Sequence, residues 1–161
     1  MGRRPLDTPM ISKSAIVKQV IKHLGDELEL LAGASRKMHA DASDEQNKAE
    51  DQYDTRGLET AYLASSQARQ ATATEEALAA YQALTLAKFT ATSPIAITAL
   101  VELEARGERM WYFIGPKAGG IEVKDVFVIT PESPIGQQIV SKKVGDRFKF
   151  HAQDYKIISV R

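Results

Sequence analysis

SPIGQQIVSKKVGDRFKF, residues 133–150, holds the start, body and end of one short helix and then opens a strand. Ser133 can cap the helix, and Pro134 suits its first position, where a missing N–H costs nothing. Ile135, Ile139 and Val140 then present one apolar face of about two turns. Gly145-Asp146 marks a turn, after which Phe148 and Phe150 alternate with Arg147 and Lys149, the period of a half-buried strand. A helix this short cannot bury a core by itself, so the stretch must lean on a sheet.

The sheet is legible on both sides of it. ITALVELE (97–104), RMWYFIG (109–115) and IEVKDVFVIT (121–130) are rich in β-branched and aromatic residues and read as strands. Arg106-Gly107-Glu108 joins the first two as a hairpin, and residues 116–120, PKAGG, form a looser connection. RFKFHAQDYKIISVR supplies two further strands. The sum over 93–161 is an antiparallel sheet of four to five strands with one short helix. Joined to the helices before it, this gives an α+β chain. By alternation Trp111 and Phe113 share one face, as sheet core, and Tyr112 takes the other.

Before residue 93 the pattern changes to helical. Val17, Ile21, Leu24, Leu28, Leu31, Ser35 and Met38 fall at alternating spacings of four and three, the seam of a helix packed along another. Ser12 is the expected cap, with Thr8-Pro9 as a competing start, and a helix over 12–40 would be about 42 Å long. Residues 39–54 read as an acidic turn, with a second helix beginning near Ser43 or Asp44 on a Ser43–Gln46 capping box. Its expected inward stripe is Leu58, Ala61, Tyr62, Ser65, Ala68 and Thr72, and Thr72–Thr74 is an expected kink or break, with Thr74 capping a further helix. Residues 12–87 thus predict an antiparallel helical hairpin, or coiled coil, with its acidic tip near 40–50. So small-sided a stripe predicts less stability at the distal end than at the base.

Charge is balanced overall but segregated. Seven carboxylates against two basic groups lie between Asp41 and Glu59, while residues 1–24 carry five basic groups and one acidic. That distribution disfavours general nucleic-acid binding and fits a protein partner with charged surfaces. Cysteine is absent, which excludes disulfides and thiol chemistry. No apolar run suggests a membrane span or a secretory signal, so a cytoplasmic location is expected. His23, His39 and His151 share no ligand spacing, and Gly115–Gly120 lacks the strand–loop–helix setting of a phosphate cradle. Asp41 and Asp44, three apart, could share a hard cation, yet two carboxylates fill only part of a magnesium shell. They would complete an ion held mainly by a partner, or else simply solvate a turn.

SPIGQQIVSKKVGDRFKF, standing after WYFIGPKAGG (111–120), resembles the carboxyl-terminal domain of the bacterial GreA/GreB transcript cleavage factors. The family pattern there is Ser-Pro-hydrophobic-Gly/Ala, a short helix, then Gly-Lys-Lys/Glu-Val-Gly-Asp. Ser133, Pro134, Ile135 and Gly136 match it, as do Lys142, Lys143, Val144, Gly145 and Asp146, whereas Ser141 replaces the usual glycine. The resemblance implies an FKBP-like domain that docks at the rim of the secondary channel of RNA polymerase core, and a coiled coil that enters the channel. It implies an acidic tip that helps the polymerase hold Mg2+ and activate water for cleavage of backtracked RNA. No ion is expected to be bound stably by the chain alone.

The family tip reads roughly Gly-Asp-Leu-Ser/Lys-Glu-Asn-Ala-Glu-Tyr. Here Ala40-Asp41-Ala42-Ser43-Asp44-Glu45 stands at the matching place. Asp41 matches, Asp44 stands where the glutamate would be, and Glu45 takes that place if the register shifts by one. Ala40 and Ala42 depart from the motif, and aspartate for glutamate shortens the reach by one methylene. A displacement on the order of 1 Å can cost about a hundredfold in rate. The main expectation is therefore a cleavage-promoting elongation factor that acts through Asp41 and Asp44, with Glu45 in reserve. The alternatives are a noncleaving secondary-channel regulator and, outside the resemblance, a plain interaction scaffold. Arg36, Lys37 and Lys48 would contact RNA or channel groups. Arg106, Pro131, Ser133, Pro134, Ile135, Gly136, Lys142 and Lys143 would dock on the polymerase. Nascent RNA would be met only through the complex, DNA binding comes with the class, and a monomer is expected, with arm pairing as the alternative.

Overall fold

Ser12 stands just before the first helix, and its Oγ accepts the Ala15 N–H at 3.1 Å, as an N-cap does. The computed structural model describes residues 11–46 and 55–161. Helix α1 spans Lys13–Gln46 and helix α2 spans Thr55–Gln82. The chain divides into two compact units, and the division falls within both helices. One unit is Lys22–Ala79; the other joins the start of α1, through Ile21, to Ala80–Arg161. No helix among the described residues is long and apolar enough to cross a membrane.

The helices correct three expectations. Helix α1 runs on through Asp41 and Asp44 to Gln46, and α2 starts only at Thr55. The Ser43–Gln46 capping pattern therefore lies inside a helix, where alanine, glutamate and glutamine sustain the run. The Thr72–Thr74 stretch is unbroken because each hydroxyl finds an acceptor one turn back. Thr72 Oγ1 donates to the Ala68 carbonyl at 3.0 Å, and Thr74 Oγ1 donates to the Gln70 carbonyl at 2.9 Å. The stripe expected to face inward on α2 is exposed, with Leu58 at 63% and Tyr62 at 75%. The buried positions are Thr74, Ala77 and Tyr81, with Gln67, Ala71 and Leu78 half-buried. In α1 the buried residues are Ile16, Val20 and Leu24, while Val17, Ile21, Leu28 and Leu31 of the expected seam are half-buried. Within Lys22–Ala79, Gln70 Nε2 donates to Glu27 Oε1 at 3.2 Å and links the two helices.

The sheet has six strands rather than four or five, and it is mixed rather than antiparallel. The strands are β1 (Leu100–Ala105), β2 (Glu108–Ile114), β3 (Glu122–Val123), β4 (Val126–Ile129), β5 (Arg147–Phe150) and β6 (Gln153–Val160). Their order is β3-β4-β2-β1-β6-β5. The stretch IEVKDVFVIT is two strands, because Lys124 and Asp125 both take positive φ (45° and 67°) and turn the chain. That turn brings β4 back beside β2 in the parallel sense. The Arg106–Gly107 turn has φ of 51° and 76°, the paired left-handed geometry that matches strand twist in a two-residue hairpin.

Helix α3, Pro134–Ile139, is capped as its sequence predicts. Ser133 Oγ accepts the Gly136 N–H at 3.1 Å, and Pro134 occupies the first turn. Ile139 and half-buried Ile135 pack into one core cluster with Val101, Leu103, Ile114, Phe148, Ile157 and Val160. Trp111 and Phe113 are buried, and Tyr112 packs against that cluster.

Candidate functional site

Asp41, Asp44 and Glu45 lie on the helical backbone of α1, and Arg36 and Lys37 are exposed on the same helix. Lys48 lies outside the described residues. Among the described residues no three carboxylate or imidazole side chains gather as a metal site. The two aspartates alone do not fit a magnesium shell.

Several motif residues of the sheet domain hold the fold itself. A Cβ on buried Gly136 would collide with the Thr130 carbonyl oxygen and the Ser133 hydroxyl, so glycine lets the first turn of α3 close onto the chain before it. Ser133 Oγ also donates to Thr130 O at 2.7 Å. The Lys142 carbonyl accepts the Ile95 N–H at 2.8 Å, and the Lys143 N–H donates to Asp146 Oδ2 at 2.8 Å. Ile135, Pro131 and Lys142 are half-buried, and Arg106, Pro134 and Lys143 are exposed.

Three clusters carry no recognisable sequence signal. Lys13 Nζ donates to the Ala87 carbonyl at 2.6 Å and to the Arg161 backbone oxygen at 3.0 Å, and lies 4.9 Å from the Phe89 ring centroid. Burial lowers its pKa. The Tyr81 hydroxyl donates to the Lys117 carbonyl at 2.8 Å, and burial pushes the phenol up. Buried Glu102 accepts from Arg109 Nη1 and from Ser159 Oγ, each at 3.0 Å, while Arg109 Nε lies 3.5 Å from Glu104 Oε2. Each joins residues far apart in sequence, so only the register of the folded chain reveals it.

Residues 90–161 match the family model described as transcription elongation factor, GreA/GreB, C-term. No curated protein is significantly similar to the chain. Among solved structures, the chain resembles GreA factor homolog 1 (Gfh1) of Thermus thermophilus at 18% identity and a TM-score of 0.39, covering 88% of this chain and 94% of that one. It also resembles Gfh1 of Thermus aquaticus at 21% identity and a TM-score of 0.38, covering 86% and 92% respectively. The expectation of transcript cleavage from a carboxylate-bearing turn is corrected by the fold: Asp41 and Asp44 sit on helical backbone.

Proposed function

We propose that the chain is a GreA/GreB-family protein, on the match of residues 90–161 to the family's carboxyl-terminal model, and that it binds RNA polymerase and regulates it by occupying the secondary channel, without promoting RNA cleavage. One observation carries this reading: α1 stays helical through Asp41 and Asp44 to Gln46. Two carboxylates alone are too few for a magnesium shell. What remains for the arm is bulk and charge.

In this reading residues 12–87 act as a coiled-coil arm and residues 93–161 as an FKBP-like docking domain. Arg106, Pro131, Pro134 and Lys143 belong to the docking surface, while Ser133, Ile135, Gly136 and Lys142 shape it. Arg36, Lys37 and Lys48 meet channel carboxylates or RNA phosphates. The family match and the exposure of Arg36, Lys37, Arg106, Pro134 and Lys143 support these roles.

The test uses core polymerase and stalled, backtracked complexes. The full chain should bind the core, and the release of short 3′ RNA fragments should be no faster with it at any magnesium concentration. Absence of binding would remove the polymerase reading. Accelerated release would remove the occupancy mechanism and leave the partner intact.

A further inference from the structure

Apart from Arg106, the docking residues cluster around α3, whose apolar side chains pack into the core cluster with Phe148 and Ile157. The opposite face of the same sheet carries a different surface. Phe148 points into the core, so its strand neighbours Arg147 and Lys149 point away from it. Cross-strand register sets Arg147 opposite Lys156, Lys156 opposite Glu104, and Glu104 opposite Arg109. The row Arg147–Lys156–Glu104–Arg109 therefore crosses four strands on one face. Arg109 is already engaged by Glu102 and Glu104, at 3.0 and 3.5 Å. Arg147, Lys149 and Lys156 form no ion pair among the described residues, and Arg147 and Lys149 are exposed.

Like charges directly opposite on neighbouring strands repel. Arg147 against Lys156 is thus a local cost, which Glu104 on the other side of Lys156 offsets only in part. A cost of that kind is expected where a surface serves a partner. Edge-strand protection is the plain alternative, since lysine and arginine on an edge strand such as β5 discourage pairing with other chains. It accounts for charge on β5, but not for a third cation facing it from β6.

We propose that Arg147, Lys149 and Lys156 form a second docking surface, on the sheet face away from α3, for a carboxylate-bearing protein surface of RNA polymerase. This rests on the polymerase reading above. A protein is favoured over a nucleic-acid backbone because Glu104 and Asp154 lie on the same face, Asp154 opposite Lys149. Interleaved carboxylates repel a run of phosphates and complement a surface of mixed charge.

The experiment compares the full chain with its Arg147→Glu, Lys149→Glu variant in binding to core RNA polymerase across a salt series. Arg147→Glu sets a carboxylate opposite Lys156 and removes one repulsion, while Lys149→Glu faces Asp154 and adds one, so the variant's thermal midpoint should stay close to that of wild type. Glutamates also keep the edge charged, so edge protection is preserved. The variant should bind about tenfold more weakly at about 50 mM salt, and the gap should close towards about 300 mM as screening sets in. Equal binding by both proteins across the series would overturn this surface and leave the polymerase reading standing. Absence of wild-type binding at every salt concentration would overturn the polymerase reading, and this surface with it. Tight binding of duplex DNA or RNA that the same substitutions abolish would reassign the face to phosphates, against the proposal.

Discussion

Gly115 lies where β2 leaves the sheet, and a Cβ there would run into the Tyr81 hydroxyl and stand 3.3 Å from Val128 Cγ1. The close approach lets buried Tyr81 lie against the sheet and donate to the Lys117 carbonyl at 2.8 Å. Gly115→Ala should cost about 1–3 kcal/mol as an overpacked contact. In a Tyr81→Phe background the cost should be smaller, because part of the obstruction is gone, and a double-mutant cycle by denaturant unfolding measures the difference. Equal costs in both backgrounds would show that Tyr81 is not what Gly115 accommodates. The same phenol sets an alkaline limit. Burial holds its pKa above the usual 10.0, so folding favours the neutral form. Its contribution is complete below pH 10.0 and is lost as pH rises through the folded-state value. The stability advantage of wild type over Tyr81→Phe should therefore shrink in alkaline buffer.

At the scale of elements, the helices were legible in kind and partly misread in extent. Ser12 and Ser133 announce helix starts because a hydroxyl beside orphan N–H groups has one obvious use. Arg106–Gly107 announces a hairpin because glycine tolerates positive φ. The turn at Lys124–Asp125 reaches the same backbone geometry without glycine, so IEVKDVFVIT read as one strand and the strand count came out low. The face of α2 was misjudged for another reason. Alanine, serine and threonine on all sides give little hydrophobic contrast, and the inward side is set by Tyr81 and Thr74 near the helix end. Asp41 and Asp44 were assigned to a turn and lie on helical backbone, because acidic residues suit a turn and a helix surface equally well. Helix α1 offers its own test. No heavy atom lies within 4 Å of where a Cβ would stand at Gly25 or Gly33, so neither glycine is kept for a close approach. Gly25→Ala and Gly33→Ala should each stabilise the helix by about 1 kcal/mol, seen as a higher unfolding midpoint by circular dichroism. A loss at either site would mean that the position needs glycine for a contact absent from the isolated chain.

For the whole molecule, the question is whether the arm acts by what it carries or by where it goes. A metal-delivering arm must place carboxylates to within about 1 Å, and its activity collapses when they are neutralised. An occupying arm needs length, and α1 alone, at 34 residues, extends about 50 Å. Charges that bind no metal are each worth at most about 1 kcal/mol at a protein surface, or about fivefold in affinity. The two modes separate in competition. Added to backtracked complexes with a cleavage-stimulating factor that uses the same channel, the chain should suppress fragment release in proportion to its occupancy of the polymerase. The Asp41→Asn, Asp44→Asn variant should suppress it at concentrations within about 25-fold of wild type, since bulk is unchanged. If the double variant binds the core normally yet no longer competes, the carboxylates hold the arm in place and occupancy depends on them. If wild type binds and never competes, the arm does not enter the channel, and the sheet domain alone accounts for the interaction.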